Sequence, residues 1–157
     1  MSTKPFWRNG NGTAGAAVRI RSAGSAYVVE QSAPSEPRIT VLIVERDPAT
    51  RRFLQEFLEE EALTTRALET VGAARAVLNT VFPDVLLLDW RPSGEGPEAI
   101  LHALQLTPTA PAPAIIVLST APPPPTLPHG VVAWLQKPFD SAELLRRVHR
   151  HIGRAPT

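Results

Sequence analysis

The 157 residues of the chain suit one ordinary domain with a short additional segment. The formal net charge of +1 provides no strong field to attract nucleic acid or a membrane surface, so we expect neither as a partner. The absence of cysteine excludes disulfides and thiolate metal sites and fits a reducing compartment, which favours a cytoplasmic location. The longest apolar runs hold about five residues, far fewer than a bilayer span requires.

Residues 1–37 differ in composition from the rest of the chain. They are rich in Gly, Ser, Ala and Asn, and residues 32–37 (SAPSEP) are typical of a linker. Residues 18–21 and 27–29 flank a glycine-containing stretch in the manner of a β-hairpin. Two interpretations remain open, a flexible extension or a short hairpin, because two strands alone are marginally stable.

From Thr40 onward, strand and helix patterns alternate. Apolar or half-apolar runs predict five strands, at residues 41–44, 63–68, 85–88, 115–118 and 131–135. Helix starts are marked by prolines or by side-chain acceptors, at Asp47-Pro48, Thr70, Pro97 and Asp140 or Ser141. The alternation predicts an α/β domain over residues 38–153, with a parallel sheet covered on both faces, and leaves residues 154–157 as a tail.

Polar residues follow four of the five predicted strands, namely Glu45, Asp89, Ser119 with Thr120, and Lys137. In an open parallel sheet, ligand-binding and catalytic residues usually lie at the carboxyl ends of the strands. A carboxylate there can accept a phosphoryl group, ligate a metal ion or join a buried ion pair. In the flavodoxin-like strand order 2-1-3-4-5, Glu45 and Asp89 face each other on neighbouring strands.

Four stretches resemble the response regulator receiver family: residues 41–48 (VLIVERDP), 83–90 (PDVLLLDW), 115–120 (IIVLST) and 134–139 (WLQKPF). The resemblance implies a flavodoxin-like (CheY-like) sheet of five parallel strands. It also implies that Asp89 accepts a phosphoryl group from a histidine kinase and that Ser119, Thr120 and Lys137 contact that group. An acidic pair after the first strand would hold Mg²⁺, and Trp134 would be the switch aromatic.

The sequence departs from the family pattern at the metal site. The acidic pair falls on Glu45 and Arg46, so Glu45, Arg46 and Asp89 together carry −1 where three carboxylates would carry −3. A guanidinium supplies only hydrogen-bond donors, so we expect weak or absent Mg²⁺ binding and no other cofactor. Asp47 is a conceivable substitute ligand but is better placed as a helix cap. Arg46 is also a candidate to pair with Asp89 and so mimic a neutralised site.

Two further departures concern connections between elements. In the loop after Asp89, residues 90–96, Pro92 and Gly96 each come one residue earlier than in the family pattern. This shortening should move the backbone carbonyl that completes the metal shell in the family. Residues 121–130 contain four consecutive prolines where the family has its fourth helix. A proline has no backbone N–H to donate, and it disfavours the helical conformation in the residue before it. We expect an extended polyproline II segment, either a shortened connection or a partner surface comprising Pro122, Pro123, Pro124, Pro125 and Trp134.

These observations favour a stand-alone bacterial pseudo-receiver in phosphorelay signalling that binds a protein and is not an enzyme. Its partner would be a histidine kinase or another signalling protein, and its oligomeric state is not predicted. Two alternatives remain: a phospho-acceptor modified at Asp89, and a binder of a small ligand in the same crevice. The basic last helix is interpreted as a solvated face, because cations complement a helix C-terminus.

Overall fold

The computed structural model describes residues 18–23, 26–31, 38–91, 99, 101–102 and 112–153. The chain divides into two units, Met1–Pro37 and Arg38–Thr157. In the first unit, β1 (Val18–Ala23) and β2 (Ala26–Gln31) form an antiparallel pair. Of the two interpretations left open by the sequence, the structure therefore shows a hairpin, formed by β1 and β2. The linker and the tail proposed at residues 32–37 and 154–157 lie outside the described residues.

The second unit is built on a five-stranded parallel sheet in the order β4-β3-β5-β6-β7. Its strands are β3 (Val41–Val44), β4 (Thr65–Leu68), β5 (Val85–Trp90), β6 (Ala114–Ser119) and β7 (Val131–Gln136). Counted within the unit, this is the order 2-1-3-4-5, so the predicted flavodoxin-like sheet is confirmed. The strand with the most polar pattern, β4, lies at an edge, where one side is open to water.

Three helices have defined bounds: α1 (Pro48–Glu60), α2 (Val71–Leu78) and α3 (Ser141–His149). Each begins after a side chain that accepts a hydrogen bond from the first turn, from Asp47, Thr70 and Asp140 respectively, as the sequence predicted. Residues 99, 101 and 102 are also helical. The predicted helix start at Pro97 and most of the shortened loop after Asp89 lie outside the described residues.

The core lies on both faces of the sheet because successive side chains of a strand point to opposite sides. On one face, Ile43 and Leu87 pack with apolar residues of α1 and α3. On the other face, Leu42 and Leu86 pack with apolar residues of α2. With both faces covered, the polar residues that follow the strands are confined to the rim of the sheet.

Residues 120–130 connect β6 to β7 without a helix. This confirms that the fourth helix of the family is replaced, and the physical reason is the proline run, which cannot supply helical N–H donors. We call residues 121–128 (APPPPTLP) the proline segment. Two residues after the segment comes Gly130, whose φ of +84° suits glycine best. No helix in the described part of the chain is long and apolar enough to cross a bilayer.

Candidate functional site

The register of the sheet brings the two predicted carboxylates to the same edge. Strands β3 and β5 are direct neighbours, and Val44 is aligned with Leu88. Glu45 and Asp89 each come one residue later, so they occupy equivalent positions on adjacent chains. Both side chains are buried, with 0% of Glu45 and 4% of Asp89 exposed. Buried carboxylates are costly unless they are paired, so their partners define the site.

The other two predicted strand-end residues lie at the same edge. Ser119 ends β6 and is aligned with Gln136 of β7. The backbone N–H of Lys137 then donates to the carbonyl of Ser119 over 2.7 Å, which fixes where the lysine leaves the strand. The side chain of Ser119 is fully buried, whereas Thr120 is exposed and its carbonyl accepts a hydrogen bond from Gln136 Nε2.

Lys137 connects the two carboxylates. Its Nζ atom lies 2.8 Å from Glu45 Oε2 and 2.8 Å from Asp89 Oδ1. The side chain is 22% exposed, so these charge-assisted bonds form in a largely desolvated place. Burial lowers the pKa of the lysine, but the hydrogen bonds to Asp89 and Glu45 outweigh it and the pKa is raised. The ammonium therefore remains charged at any ordinary pH.

The second oxygen of each carboxylate also has a partner. Glu45 Oε1 accepts the backbone N–H of Asp47 at 2.9 Å, and Asp89 Oδ2 lies 3.5 Å from Arg91 Nε. The second contact is at the limit of a hydrogen bond, and half of the Arg91 side chain is exposed. Sequence reasoning missed Arg91. The available signal was its spacing, because residues two apart on an extended chain point to the same side.

Arg46 does not take the position that the sequence suggested for it. Its side chain is exposed, and in the described part of the chain no ion pair joins it to Asp89. The idea that Arg46 neutralises Asp89 is therefore wrong, since Lys137 and Arg91 hold that carboxylate. The chain bends after Glu45, and Arg51 Nη1 donates to the carbonyls of Glu45 and Arg46 at 2.8 and 3.1 Å, which fixes the bend.

Asp47 serves as the cap of α1. Its Oδ2 atom accepts the backbone N–H of Thr50 at 2.7 Å. Hydrogen bonds from Thr50 are the main reason why the pKa of Asp47 is lowered, with smaller contributions from the charges of Lys137 and Arg91. The carboxylate thus has a structural task at the start of the helix, as expected from the Asp-Pro pair.

Trp134 links the site to the proline segment. It is half-buried, and its Nε1 atom donates to the carbonyl of Ala121 at 3.0 Å. Its ring meets that of Trp90 edge-on, with centroids 5.2 Å apart. The backbone N–H of Ala121 donates in turn to Ser119 Oγ at 3.1 Å. One chain of contacts therefore joins a buried strand-end serine, the first residue of the proline segment and the tryptophan pair.

Among the described residues, no group of three or more His, Cys, Asp or Glu side chains is arranged to hold a metal ion. The strand ends therefore present an ion-pair cluster, made of Glu45, Asp89, Lys137 and Arg91, beside a buried serine.

A family model described as the response regulator receiver domain matches residues 41–149. The chain therefore belongs to the response regulator receiver domain family and is a receiver domain of two-component signalling. The match includes every strand of the parallel sheet and each residue of the ion-pair cluster. A comparison with curated proteins found no match.

Solved structures resemble the fold at low identity. The receiver domain of the sensor histidine kinase PA1611 from Pseudomonas aeruginosa PAO1, with a magnesium ion coordinated in its active site cleft, is 21% identical, with a TM-score of 0.60 over 75% of this chain and 100% of that one. A receiver domain from Bacillus halodurans C-125 is 19% identical, with a TM-score of 0.60 over 75% and 100%. A CheY-like receiver domain from Methanospirillum hungatei JF-1 is 22% identical, with a TM-score of 0.59 over 73% and 93%.

Proposed function

We propose that this receiver is degenerate: it acts by binding a protein, does not depend on Mg²⁺-assisted phosphorylation of Asp89, and catalyses no reaction. The observation that supports this proposal is the double ion pair of Lys137 with Glu45 and Asp89, at 2.8 Å each. The ammonium occupies the space between the two carboxylates and provides there the positive charge that a cation would otherwise bring.

The donor set does not fit Mg²⁺. That ion requires near-octahedral oxygen ligands at about 2.0–2.1 Å, usually with one or two carboxylates. Both oxygens of Glu45 are already bonded, to Lys137 and to the backbone of Asp47, and the next residue, Arg46, is exposed and supplies no oxygen ligand from its side chain. At about 4 Å and an effective dielectric near 20, each unit of charge changes the interaction by roughly 4 kcal/mol. The lack of one carboxylate is therefore a large loss for a divalent ion.

One observation favours a second function, that of a phospho-acceptor. Among the described residues, the Oδ2 atom of Asp89 has only the 3.5 Å contact with the partly exposed Arg91. Ser119 and Lys137 lie at the same strand ends, where they would contact a phosphoryl group on Asp89. A histidine kinase would then be the donor, and Lys137 would have to release Glu45 or share its ammonium.

Incubation of the full chain with acetyl phosphate and MgCl₂, followed by intact mass analysis, separates the two functions. The degenerate receiver gives an unchanged mass, and beryllofluoride with Mg²⁺ leaves the fluorescence of Trp90 and Trp134 unchanged in a Trp7→Phe background. A mass gain of one phosphoryl group that is absent from Asp89→Asn would overturn the proposal.

The Arg46→Asp variant is the matched control, because it restores the acidic pair of the family. We expect this variant to gain Mg²⁺-dependent fluorescence quenching, while Arg46→Ala, which only removes the cation, gains much less. If the unaltered chain binds Mg²⁺ as tightly as Arg46→Asp does, the site is not degenerate.

A further inference from the structure

We propose that the proline segment is a preformed polyproline II ligand and that it docks into the aromatic-lined groove of a partner protein. The inference deepens the proposed function, on which it rests in one respect: it takes the domain to act by binding a protein. It assigns a surface to that activity, Pro122 to Thr126, and a kind of partner.

The conformation of the segment follows from its composition. Each proline ring fixes φ near −65°, and each proline also disfavours the helical region in the residue before it. Pro122, Pro123 and Pro124, each followed by a proline, are therefore restricted to the extended region, and no helix is found between β6 and β7. Polyproline II has three residues per turn and leaves its backbone carbonyls open to solvent.

Over residues 121–126 the exposure of the side chains fits that three-residue repeat, which ends at the exposed Leu127. Ala121 and Pro124, three positions apart, are half-buried against the domain. The residues on the other two edges are exposed, namely Pro122, Pro123, Pro125 and Thr126. Pro122 and Pro125 are both exposed and lie three positions apart, and this spacing is the P-x-x-P pattern that aromatic-lined grooves recognise.

Both ends of the segment are held by hydrogen bonds. At its start, Ala121 donates to Ser119 Oγ and accepts from Trp134 Nε1. At its end, the carbonyl of Pro128 accepts the N–H of Val131 at 3.0 Å. A ligand fixed at both ends loses little further freedom when it binds, which favours affinity.

The backbone between these anchors has no partner in the part of the chain that the structure describes. No hydrogen bond there is accepted by the carbonyls of residues 122–125, and the prolines have no N–H to donate. The segment also carries no charged side chain, so recognition must come from proline rings and carbonyl oxygens. An aromatic groove with tryptophan or tyrosine donors supplies both kinds of contact.

The test uses the ¹⁵N-labelled full chain, unphosphorylated and in Mg²⁺-free buffer, titrated with a panel of purified SH3, WW and EVH1 domains. The reporters are the backbone N–H groups of Ala121, Thr126 and Leu127 and the indole N–H of Trp134, which lie within or against the segment. We expect at least one domain to shift these signals, with equal affinity at low and high salt because no charge is involved.

Matched variants locate the contact. Pro122→Ala combined with Pro125→Ala removes the two exposed prolines of that pattern and should weaken binding about tenfold or more, as loss of an anchoring contact does. Pro124→Ala changes an inward proline of the same run and should weaken binding by less than about threefold. Near-ultraviolet circular dichroism of each variant confirms that the fold is intact.

Three outcomes would overturn the inference: no domain of the panel shifts the reporters, the outward and inward variants lose affinity equally, or the reporters move only with the concentration of the chain itself. The last outcome identifies a second copy as the occupant. Failure here leaves the phosphorylation assay unaffected, because that assay contains no partner domain. Phosphorylation of Asp89 would end the proposed function, whereas this titration is carried out on the unphosphorylated chain, so the two failures are distinguishable.

Discussion

The ammonium of Lys137 passes the end of β6 to lie 2.8 Å from the carboxylate of Asp89, although β5 and β7 are not neighbouring strands. Strands are about 4.8 Å apart, so the two residues are separated by roughly twice that distance along the rim, which a lysine side chain can span. The same atom reaches Glu45 on β3. One side chain thus ties together three strands.

Removal of that side chain should be costly. Lys137→Met leaves Glu45 and Asp89 buried without their cation, and we expect the free energy of unfolding to fall by about 3 kcal/mol, at the lower end of the range for broken buried pairs because Lys137 is partly exposed. Urea denaturation at neutral pH measures the loss. Combining Lys137→Met with Asp89→Asn should recover part of it.

The exposed pair Arg52–Glu56 is the control for that experiment. Its side chains are 79% and 58% exposed, so Arg52→Ala should cost less than about 1 kcal/mol. Equal losses in the two variants would contradict the importance assigned to the buried cluster.

Alkaline pH should weaken the same interaction. The folded pKa of Lys137 is raised above its ordinary value of 10.5, so its contribution is complete below that pH and is lost as the pH rises through the folded pKa. We expect the difference in unfolding free energy between the unaltered chain and Lys137→Met to be constant near neutrality and to shrink above about pH 10.5. A difference that grows above that pH would contradict a raised pKa for Lys137 in the folded state.

Trp134→Phe tests the contact between the site and the proline segment. The variant loses the hydrogen bond to Ala121 and changes the edge-on contact with Trp90, so we expect a loss of about 1–2 kcal/mol in unfolding free energy. His129→Ala, an exposed change in the same connection, should stay within about 0.5 kcal/mol. A neutral Trp134→Phe would show that Ala121 is held by other contacts.

Two glycines should respond in opposite directions to alanine. Gly130 has a φ of +84° and a Cβ there would meet only Ile115 Cδ1 at 3.8 Å, so the expected loss of about 1–2 kcal/mol in unfolding free energy comes from the backbone. Gly72 lies in α2, where a Cβ would meet only Thr70 Oγ1 at 4.0 Å, so Gly72→Ala should raise the unfolding free energy by about 0.5–1 kcal/mol. Thermal unfolding of the pair checks both signs.

The sequence was informative where one dominant cause determines the structure. Buried apolar runs determine the sheet, the Asp47-Pro48 pair marks the start of α1, and the proline run rules out a helix. The polar residues at the strand ends could be predicted to meet because parallel strands end at one rim. The second strand was predicted two residues too early, at residue 63, because edge strands have weaker patterns.

The partners within the site could not be predicted from spacing alone. Arg46 directly follows Glu45 in sequence, yet the bend after β3 turns it outward, and a bend of this kind depends on the contacts of Arg51. Lys137 reaches Glu45 across 92 positions of sequence. The cation that neutralises a buried carboxylate is the one whose side chain is long enough and close enough in the folded structure. The sequence pattern does not contain those distances.

The helix-free connection from β6 to β7 also has a consequence for how the domain folds. A crossover between parallel strands usually needs a dozen or more residues, commonly as a helix that must form and dock. Here residues 120–130 make the crossover, and their prolines have few conformations even in the unfolded chain. The entropy lost on closing this loop is therefore small, and the pairing of β6 with β7 should be among the early events of folding.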